Sequence, residues 1–338
     1  MFETMPANLP PEYFKAEEKY LRARTIEDKI SATQELIRFA PKHKGTEKLL
    51  KTLKRRLAKL RQELQKQRSR RVGGGPSFAV KKEGAAQVAL VGMPNSGKSM
   101  LLRWLTGAKP GIADYPFTTR EPVPGMMQFE DIQIQLVEVP ALIEGSSLGR
   151  GFGGQPLSVA RNADAIVLVV DASANPLKQV ETLIVELETA GIRLNQEEGP
   201  EEAPGKATVY RQAILIATKG DTQGAEEKFK ELKRTFGNRF SMKLVSAEQD
   251  GDQAELKQLI FGNLKLIRVY TKRSDNKPSK RPLVLPKGAA VLDVAKAVHK
   301  DLALDLKFAR VWGSARFPGQ QVPRNYPLKD KDVVELHA

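Results

Sequence analysis

The 338-residue sequence predicts an α/β protein, in which a parallel sheet with helices on both faces follows a helical hairpin and precedes a smaller sheet. Three observations lead to this fold class. Leucines recur at helical spacing near the N-terminus, β-branched runs alternate with amphipathic segments in the middle, and strand patterns surround one helix near the C-terminus. We therefore predict three domains: 1–82, a basic helical hairpin with a linker; 83–264, the main sheet; and 265–338, the smaller sheet.

The N-terminal domain is predicted to contain two helices, over residues 12–38 and 46–70. In the second, apolar residues fall at three- and four-residue intervals: Leu49, Leu50, Leu53, Leu57, Leu60 and Leu64. Pro41 and Thr46 supply a stop and a new N-cap, so the helices form an antiparallel hairpin. The leucine pattern covers too few heptads for a dimeric coiled coil, and we expect a monomer.

The middle and last domains differ in how strands and helices follow one another. In the middle, "VALVG", "IQIQLVEV", "AIVLVVD" and "AILIAT" are strand-length runs separated by helical segments such as "NPLKQVETLIVELETAG". This alternation is typical of a parallel sheet covered on both faces. After residue 265, "IRVYTK" and "RPLVLPKG" precede the helical "VLDVAKAVHKDL", and "ARVWG" and "DVVELHA" follow it, which predicts a small mixed sheet under a helix.

The net charge of +15 is concentrated at the two ends of the chain. Residues 1–82 carry 21 basic and 9 acidic side chains, residues 265–338 carry 16 and 7, and the middle is therefore at −6. Such asymmetry predicts that the ends bind a polyanion, for which we expect RNA or the ribosome, with no DNA specificity. The alternative, two merely solubilising surfaces, stays open.

Several classes of protein are disfavoured by composition. The chain has no cysteine and only three histidines, which argues against disulfides and a structural zinc site. No apolar run is long enough to span a membrane, and the N-terminus lacks the basic-then-apolar order of a signal peptide. We therefore expect a cytoplasmic protein that does not bind membranes.

The segment "GMPNSGKS", Gly92–Ser99, matches the phosphate-loop pattern G-x-x-x-x-G-K-[ST]. It lies where such a loop must lie, between the strand "VALV" and the helical "MLLRWLTG". Backbone amides of the loop bind phosphate, Lys98 reaches the outer phosphates, and the Ser99 hydroxyl is a ligand for Mg²⁺. Gly92 and Gly97 allow a close approach that a Cβ would obstruct.

Three further segments follow in the order that a GTPase requires. "DYPFTTR" offers Thr118 and Thr119 as hydroxyls for Mg²⁺ and the terminal phosphate, although the pair alone could be ordinary loop threonines. In "TKGD", Asp221 accepts hydrogen bonds from the ring N–H and amino group of guanine, which adenine does not offer, and Lys219 lies against the base. "VSAE" places two more residues near the base, Ser246 and Ala247.

Over nearly its whole length the chain resembles the developmentally regulated GTP-binding protein family, relatives of the Obg GTPases. The resemblance is carried by "PKHKGTEKLLKTLKRRLAKLRQEL", "FAVKKEGAAQVALVGMPNSGKS", "DYPFTT", "PALIEG", "ELETAGIRLN", "VYTK", "VHKD", "FARVWG" and "KDKDVVEL". It implies a phosphate-loop NTPase core that binds GTP and GDP, a C-terminal β-grasp TGS domain, association with translating ribosomes or RNA, and a regulatory protein partner.

Residue by residue, the resemblance assigns catalytic roles to Lys98 and Thr119 and phosphate binding to Asn95, Ser96, Gly97, Lys98 and Ser99. It assigns Mg²⁺ to Ser99 and Thr119. Asn95 matches an asparagine that helps to hold K⁺ in related GTPases, so K⁺-stimulated hydrolysis is a hypothesis. Leu142 stands where Ras-like enzymes keep a water-orienting glutamine, and an apolar side chain cannot orient water.

Three positions depart from the usual GTPase motifs. Glu138 replaces the aspartate that contacts Mg²⁺ through a water, and its extra methylene weakens the fit. Ala141 replaces the glycine whose amide meets the terminal phosphate, and a positive φ there would cost roughly 1 to 2 kcal/mol. Thr218 replaces the asparagine of the base-recognition loop. The family's insert after "GIRLN" is replaced by a short acidic segment.

Two functions therefore remain after the sequence analysis. The first is a slow GTPase that acts as a switch on the ribosome or an RNA. The second is a nucleotide-binding or ribosome-binding module in which Glu138 and Ala141 reduce turnover to almost nothing. An ATPase is disfavoured by Asp221.

Overall fold

A computed structural model describes residues 10–23, 26–41, 46–47, 49–60, 80–107, 121–148, 155–197, 208–246, 253–272 and 277–338. By its internal contacts the chain divides into two compact units, Met1–Ser77 and Phe78–Ala338. No helix in these ranges is both long and apolar enough to cross a bilayer. The three predicted domain boundaries stay a prediction.

The first unit contains three helices in its described part: α1 (Pro11–Arg22), α2 (Ile26–Phe39) and α3 (residues 49–60). The single helix predicted over 12–38 is wrong, because Ala23 has an extended backbone (φ −66°, ψ 121°) that ends α1. A small core joins the helices through Tyr13, Ala16, Leu36, Ala40 and Leu53. The predicted continuation of the third helix to residue 70 lies outside the described residues.

In its described residues the second unit contains two sheets, of which the larger has seven strands in the order β2-β3-β1-β4-β6-β5, with β7 also paired to β6. The strands are β1 (Gln87–Gly92), β2 (Val123–Phe129), β3 (Ile132–Glu138), β4 (Ala165–Asp171), β5 (Ile192–Leu194), β6 (Val209–Thr218) and β7 (Ser241–Leu244). All pairs are parallel except β2 with β3, which form a hairpin. The predicted parallel sheet is thus confirmed, with one antiparallel edge strand that the sequence analysis did not identify.

Helices cover both faces of this sheet, as predicted. They are α4 (Lys98–Thr106), α5 (Gln155–Asn162), α6 (Pro176–Thr189), α7 (Ala225–Phe236) and α8 (Gln253–Asn263). Leucines of α4 and α8 pack in one core cluster, and apolar residues of α5, α6 and α7 pack in the other. Because the central strands are buried on both faces, their side chains need not alternate between apolar and polar.

The smaller sheet has five strands in the order β11-β10-β12-β8-β9. Its elements are β8 (Leu266–Thr271), β9 (Leu283–Pro286), α9 (Val291–Val298), α10 (Lys300–Asp305), β10 (Phe308–Trp312), β11 (Gln320–Val322) and β12 (Asp332–His337). The one helix predicted here is two, because His299 has an extended backbone (φ −161°, ψ 142°) between α9 and α10. The mixed sheet itself is confirmed, with β12 parallel to β8.

Arg268 joins the two sheets where β8 meets the β2–β3 turn. Its side chain is only 2% exposed and contacts three carboxylates: Asp330 at 2.7 Å, Glu130 at 2.7 Å and Asp131 at 3.1 Å. The guanidinium also lies over the stacked rings of Phe129 and Phe261, 5.4 and 4.9 Å from their centroids. This cluster, which we call the Arg268 junction, fixes the smaller sheet to the tip of the hairpin.

Candidate functional site

The predicted site residues gather at the carboxyl ends of β1, β3, β4 and β6. Residues in register along these strands include Leu90 with Glu138, Gly92 with Val169, and Asp171 with Thr218. Because parallel strands end at a common edge, loops distant in sequence meet there. The edge is therefore the place where the sheet can bind a ligand.

The phosphate loop has the backbone that its sequence predicts. Asn95 and Gly97 have left-handed conformations, with φ of 60° and 84°. A Cβ on Gly92 would lie 2.3 Å from the Val169 carbonyl oxygen and 2.5 Å from Ser96 Oγ, so no larger residue fits there. The loop leads directly into α4, whose first residue is Lys98.

Two polar groups of this loop indicate a site built for an anion. The Ser96 hydroxyl is buried and has no hydrogen-bond partner among the described residues. Lys98 is 6% exposed, and its ammonium donates to the carbonyl oxygens of Gly92 (3.1 Å) and Met93 (2.9 Å). Burial lowers the pKa of Lys98 to about 8, although the negative charge of Glu138 acts to raise this pKa. A bound phosphate would supply the negative charge that the two carbonyl groups lack.

Ser99 and Glu138, which are predicted to hold Mg²⁺, contact each other. The Ser99 hydroxyl donates to Glu138 Oε1 at 2.6 Å, and Glu138 is 3% exposed at the end of β3. A hydroxyl and a carboxylate are oxygen ligands of the type that Mg²⁺ prefers, and Mg²⁺ usually takes only one or two such protein groups. No cluster of three or more His, Cys, Asp or Glu side chains suited to a metal occurs among the described residues.

The loop after β6, which is predicted to recognise the base, is held by charged contacts. Lys219, with a φ of 59°, donates to Asp171 Oδ2 at 2.5 Å. Burial acts to raise the pKa of Asp171, but hydrogen bonds from Lys219 and Ser173 outweigh it and lower that pKa. The Ser246 hydroxyl donates to Asp221 Oδ1 at 2.8 Å, which fixes the exposed carboxylate at the mouth of the loop.

Thr218 links this loop to the phosphate loop. Its hydroxyl donates to the Ser96 carbonyl oxygen at 2.9 Å and also lies 3.1 Å from that of Val170. The Thr218 side chain therefore faces the protein interior, where it connects the phosphate loop to the loop after β6. A cavity of about 240 Å³ lies between these loops, and its lining includes Gly97, Met100, Thr218, Lys219, Asp221 and Ser246.

The segment after β3 begins beside the phosphate loop. The Leu142 N–H donates to the Gly92 carbonyl oxygen at 3.2 Å, and the Leu142 side chain is 1% exposed within the core. The Leu142 side chain therefore packs in the core cluster that Met93 of the phosphate loop also contacts. Ala141 does not have a positive φ, so this conformation carries none of the backbone strain considered above.

Some predicted positions lie outside the described residues, and some important residues were not predicted. Thr118, Thr119 and Ala247 are outside the described ranges. Sequence reasoning missed Asp171, which holds Lys219, and Glu186, which contacts the loop after β3. The signal for Asp171 was an aspartate ending a fully buried strand.

Known protein families match the sequence in the regions of both sheets. Residues 87–200 match the family described as 50S ribosome-binding GTPase, and residues 267–338 match the TGS domain. An uncharacterized GTP-binding protein of Methanocaldococcus jannaschii is 33% identical, covering 92% of this chain and 92% of that protein. Developmentally-regulated GTP-binding protein 2 of Mus musculus is 31% identical, covering 92% of this chain and 99% of that protein.

Among solved structures, the YchF GTPase of Schizosaccharomyces pombe aligns with a TM-score of 0.51 at 14% identity. The alignment covers 76% of this chain and 99% of that one. At this identity the similarity concerns the fold alone.

Proposed function

Because the chain belongs to the family of developmentally regulated GTP-binding proteins, we propose that it is a slow, Mg²⁺-dependent GTPase that acts as a ribosome- or RNA-associated switch. One observation carries the proposal. The phosphate loop and the base-recognition loop are joined by Thr218 and enclose one cavity, lined by Asp221 at one side and by Gly97 at the other.

Guanine selectivity is attributed to Asp221. Its carboxylate is exposed at the cavity and oriented by Ser246. A carboxylate accepts hydrogen bonds only, so it pairs with the two donors on the guanine edge and repels the acceptor nitrogen of adenine. Lys219, anchored by Asp171, lines the same cavity and provides a surface for the base.

Mg²⁺ would be held by Ser99 and Glu138, together with Thr119 as the resemblance implies. The cation neutralises charge on the outer phosphates when it is bound. Glu138 Oε1 already lies at hydrogen-bonding distance from Ser99 Oγ. Glutamate at this position therefore still reaches the Mg²⁺ position despite its extra methylene, which supports cation binding.

Slow turnover is inferred from Leu142, which stands in place of a side chain that could orient the attacking water. In Ras-like enzymes a glutamine orients the attacking water, but Leu142 is buried in the core. Lys98 stabilises phosphate charge, but the water must be positioned by another group. Asn95, exposed on the phosphate loop, supports the hypothesis that K⁺ assists.

A binding module with almost no turnover is the second candidate function. The observation that favours it is the same burial of Leu142, combined with Glu138 and Ala141 in place of the usual aspartate and glycine. In that case the chain would bind GTP and GDP and associate with its partner without hydrolysis.

Single-turnover hydrolysis of GTP and ATP, measured with Mg²⁺ in K⁺ and in Na⁺ buffers, separates these candidates. We expect slow GTP hydrolysis, no ATP hydrolysis, and a higher rate in K⁺. Tight GTP binding without hydrolysis would establish the binding module instead. Equal rates in K⁺ and Na⁺ would refute the role of K⁺, and an absence of guanine-nucleotide binding would refute both functions.

Association with RNA or the ribosome is proposed to occur through the basic termini of a cytoplasmic monomer. In α3, Lys51, Lys54, Arg55, Arg56 and Lys59 are all exposed. In the smaller sheet the aromatic rings already have contacts within the protein: Phe308 stacks on His337, and Lys272 lies 3.9 Å from the Trp312 centroid. Charge therefore dominates over base stacking as the expected mode of binding.

Co-sedimentation with ribosomes over a series of salt concentrations tests this association. We expect binding to weaken steeply as salt rises, because Lys and Arg contacts with phosphate release counterions. Deletion of residues 1–82 should weaken binding at low salt. Unchanged co-sedimentation of the truncated protein would show that the N-terminal helices are not the contact.

A further inference from the structure

Glu186 is a buried carboxylate on α6 that contacts the loop after β3. It is 4% exposed. Its Oε1 accepts the Gly145 N–H at 2.6 Å, and its Oε2 accepts the Ser147 N–H at 2.7 Å. Both oxygens are therefore used to hold the backbone of the segment that also contains Ala141 and Leu142.

A carboxylate at this position is costly for the fold unless its charge is compensated. No cation forms an ion pair with Glu186 within the described part of the chain, so backbone N–H groups compensate the charge. Burial acts to raise the pKa of Glu186, but the hydrogen bonds from Ser147 and Gly145 outweigh burial and lower that pKa. Glu186 is thus ionised at neutral pH, when it binds both amides most strongly.

The loop that Glu186 holds is also stabilised by hydrogen bonds among its own residues. Gly145 has a φ of 86°. The Ser146 hydroxyl accepts the Ile143 N–H at 2.9 Å and donates to the Ile143 carbonyl oxygen at 2.7 Å. The Leu148 N–H donates to the Gly145 carbonyl oxygen at 3.0 Å. Residues 143–148 therefore behave as one unit, and fixing Gly145 and Ser147 fixes all of it.

Ala141 lies between this unit and a second fixed point. The Val139 N–H donates to the Leu90 carbonyl oxygen, and the Leu142 N–H donates to that of Gly92, both at 3.2 Å. These contacts attach the start of the segment to β1 and to the first residue of the phosphate loop, and Glu186 attaches its end to α6. The backbone around Ala141 is thus held from both sides.

We propose that Glu186 is a positioning residue for GTP hydrolysis, which holds Gly145 and Ser147 so that the Ala141 backbone amide is presented to the terminal phosphate. This inference rests on the GTPase function proposed above. Since GDP lacks the terminal phosphate, Glu186 should affect hydrolysis and leave GDP binding unchanged.

Glu188 provides a matched control on the same helix. It contacts Arg239 at 2.9 Å and Arg193 at 3.9 Å, and its side chain is 31% exposed. Neither contact involves the loop after β3. Glu186→Gln and Glu188→Gln make the same chemical change to α6, but only the first alters the hold on Gly145 and Ser147.

The test uses the full chain and three measurements: GDP affinity, single-turnover GTP hydrolysis, and hydrogen exchange of the peptide covering 143–148. In Glu186→Gln the amide NH₂ faces a backbone N–H, so one of the two hydrogen bonds is lost. We expect hydrolysis to fall by about tenfold or more, exchange in the loop to accelerate, and GDP affinity to stay within about twofold. Glu188→Gln should leave hydrolysis and loop exchange unchanged.

Equal effects of the two substitutions, or a wild-type rate and loop exchange in Glu186→Gln, would overturn the proposal. If Glu186→Gln does not fold, Glu186→Asp keeps the charge but shortens the reach, and a wild-type rate in that variant would also overturn it. Absence of GTP hydrolysis by the wild type would refute the GTPase function. Unchanged loop exchange would refute only the role of Glu186.

Discussion

The two ends of the β2–β3 hairpin contrast in how their charged groups are used. At the tip, Glu130 and Asp131 are bound by Arg268, and Lys331 and Tyr270 add further contacts to them. At the open end, Glu138 accepts a hydrogen bond from Ser99, and the partners of the nearby Lys98 ammonium among the described residues are neutral carbonyl groups. The same hairpin therefore has a tip whose charges are neutralised by protein partners and an open end suited to charges from a ligand.

This difference separates stability from activity. At the tip, the buried Arg268 is the shared partner of three partly exposed carboxylates, so breaking these ion pairs lowers the free energy of unfolding. At the open end, the proposed function assigns phosphate and Mg²⁺ as the partners of these groups, so substitutions there should change affinity or rate. Four experiments test the contrast, in order of decreasing expected effect.

The tip is tested most strongly by Arg268→Met. We expect the free energy of unfolding to fall by about 3 kcal/mol, the low end for breaking a buried ion pair, because the three carboxylates stay partly exposed to water. Urea unfolding measures it. As a control, Arg310→Met removes an exposed arginine from β10 and should change stability by less than about 0.5 kcal/mol. Equal losses of unfolding free energy in the two variants would show that the Arg268 junction stabilises the fold no more than an exposed arginine does.

The open end is tested by the double substitution Glu138→Asp with Ala141→Gly. We expect single-turnover GTP hydrolysis to rise by about tenfold, because glycine removes a backbone penalty of roughly 1 to 2 kcal/mol wherever the GTP-bound loop needs a positive φ. Stability should change little. A rate equal to wild type would show that the two departures do not limit turnover.

Thr218→Val tests the hydrogen bond that connects the two loops of the site. The substitution keeps the side-chain shape but removes the hydroxyl that bonds to the Ser96 carbonyl oxygen. We expect GDP affinity to fall by about fivefold, equivalent to about 1 kcal/mol for one buried hydrogen bond. Thr235→Val, on the exposed surface of α7, is the control and should bind GDP as wild type does. Unchanged affinity in Thr218→Val would mean that the two loops are joined by other contacts.

The smallest expected effect is proton uptake by Lys98 when GDP binds. Its pKa is about 8 without ligand, against an ordinary value of 10.5, and a phosphate beside the ammonium raises it again. At about pH 9 Lys98 is therefore mostly neutral before binding and charged afterwards, whereas at about pH 6 it is charged in both states. Calorimetry in buffers of different ionisation enthalpy measures the uptake, and Lys98→Arg, which is always charged, should abolish it. Uptake that persists in Lys98→Arg must come from another group.

Most of the fold and part of the site could be predicted from short stretches of sequence. The phosphate loop was predictable because glycines, a lysine and a serine at fixed spacing act through local backbone geometry. The buried parts of β1, β4 and β6 were predictable because a strand segment covered on both faces is largely apolar. The break in the first helix at Ala23 was missed because no proline or glycine marks it, although Thr25 and Asp28 have the spacing of a helix N-cap motif.

The sequence by itself determined the α/β class, the phosphate loop and the asymmetric charge, since each depends on residue types within a few positions of one another. Only the tertiary structure decided which carboxylates serve the site and which serve the fold. Three glutamates that look alike in the sequence have different partners in the structure. Glu138 accepts a hydrogen bond from Ser99, Glu130 forms an ion pair with Arg268, and Glu186 accepts hydrogen bonds from Gly145 and Ser147. The role of a charged side chain depends on the partners that folding brings to it from distant positions.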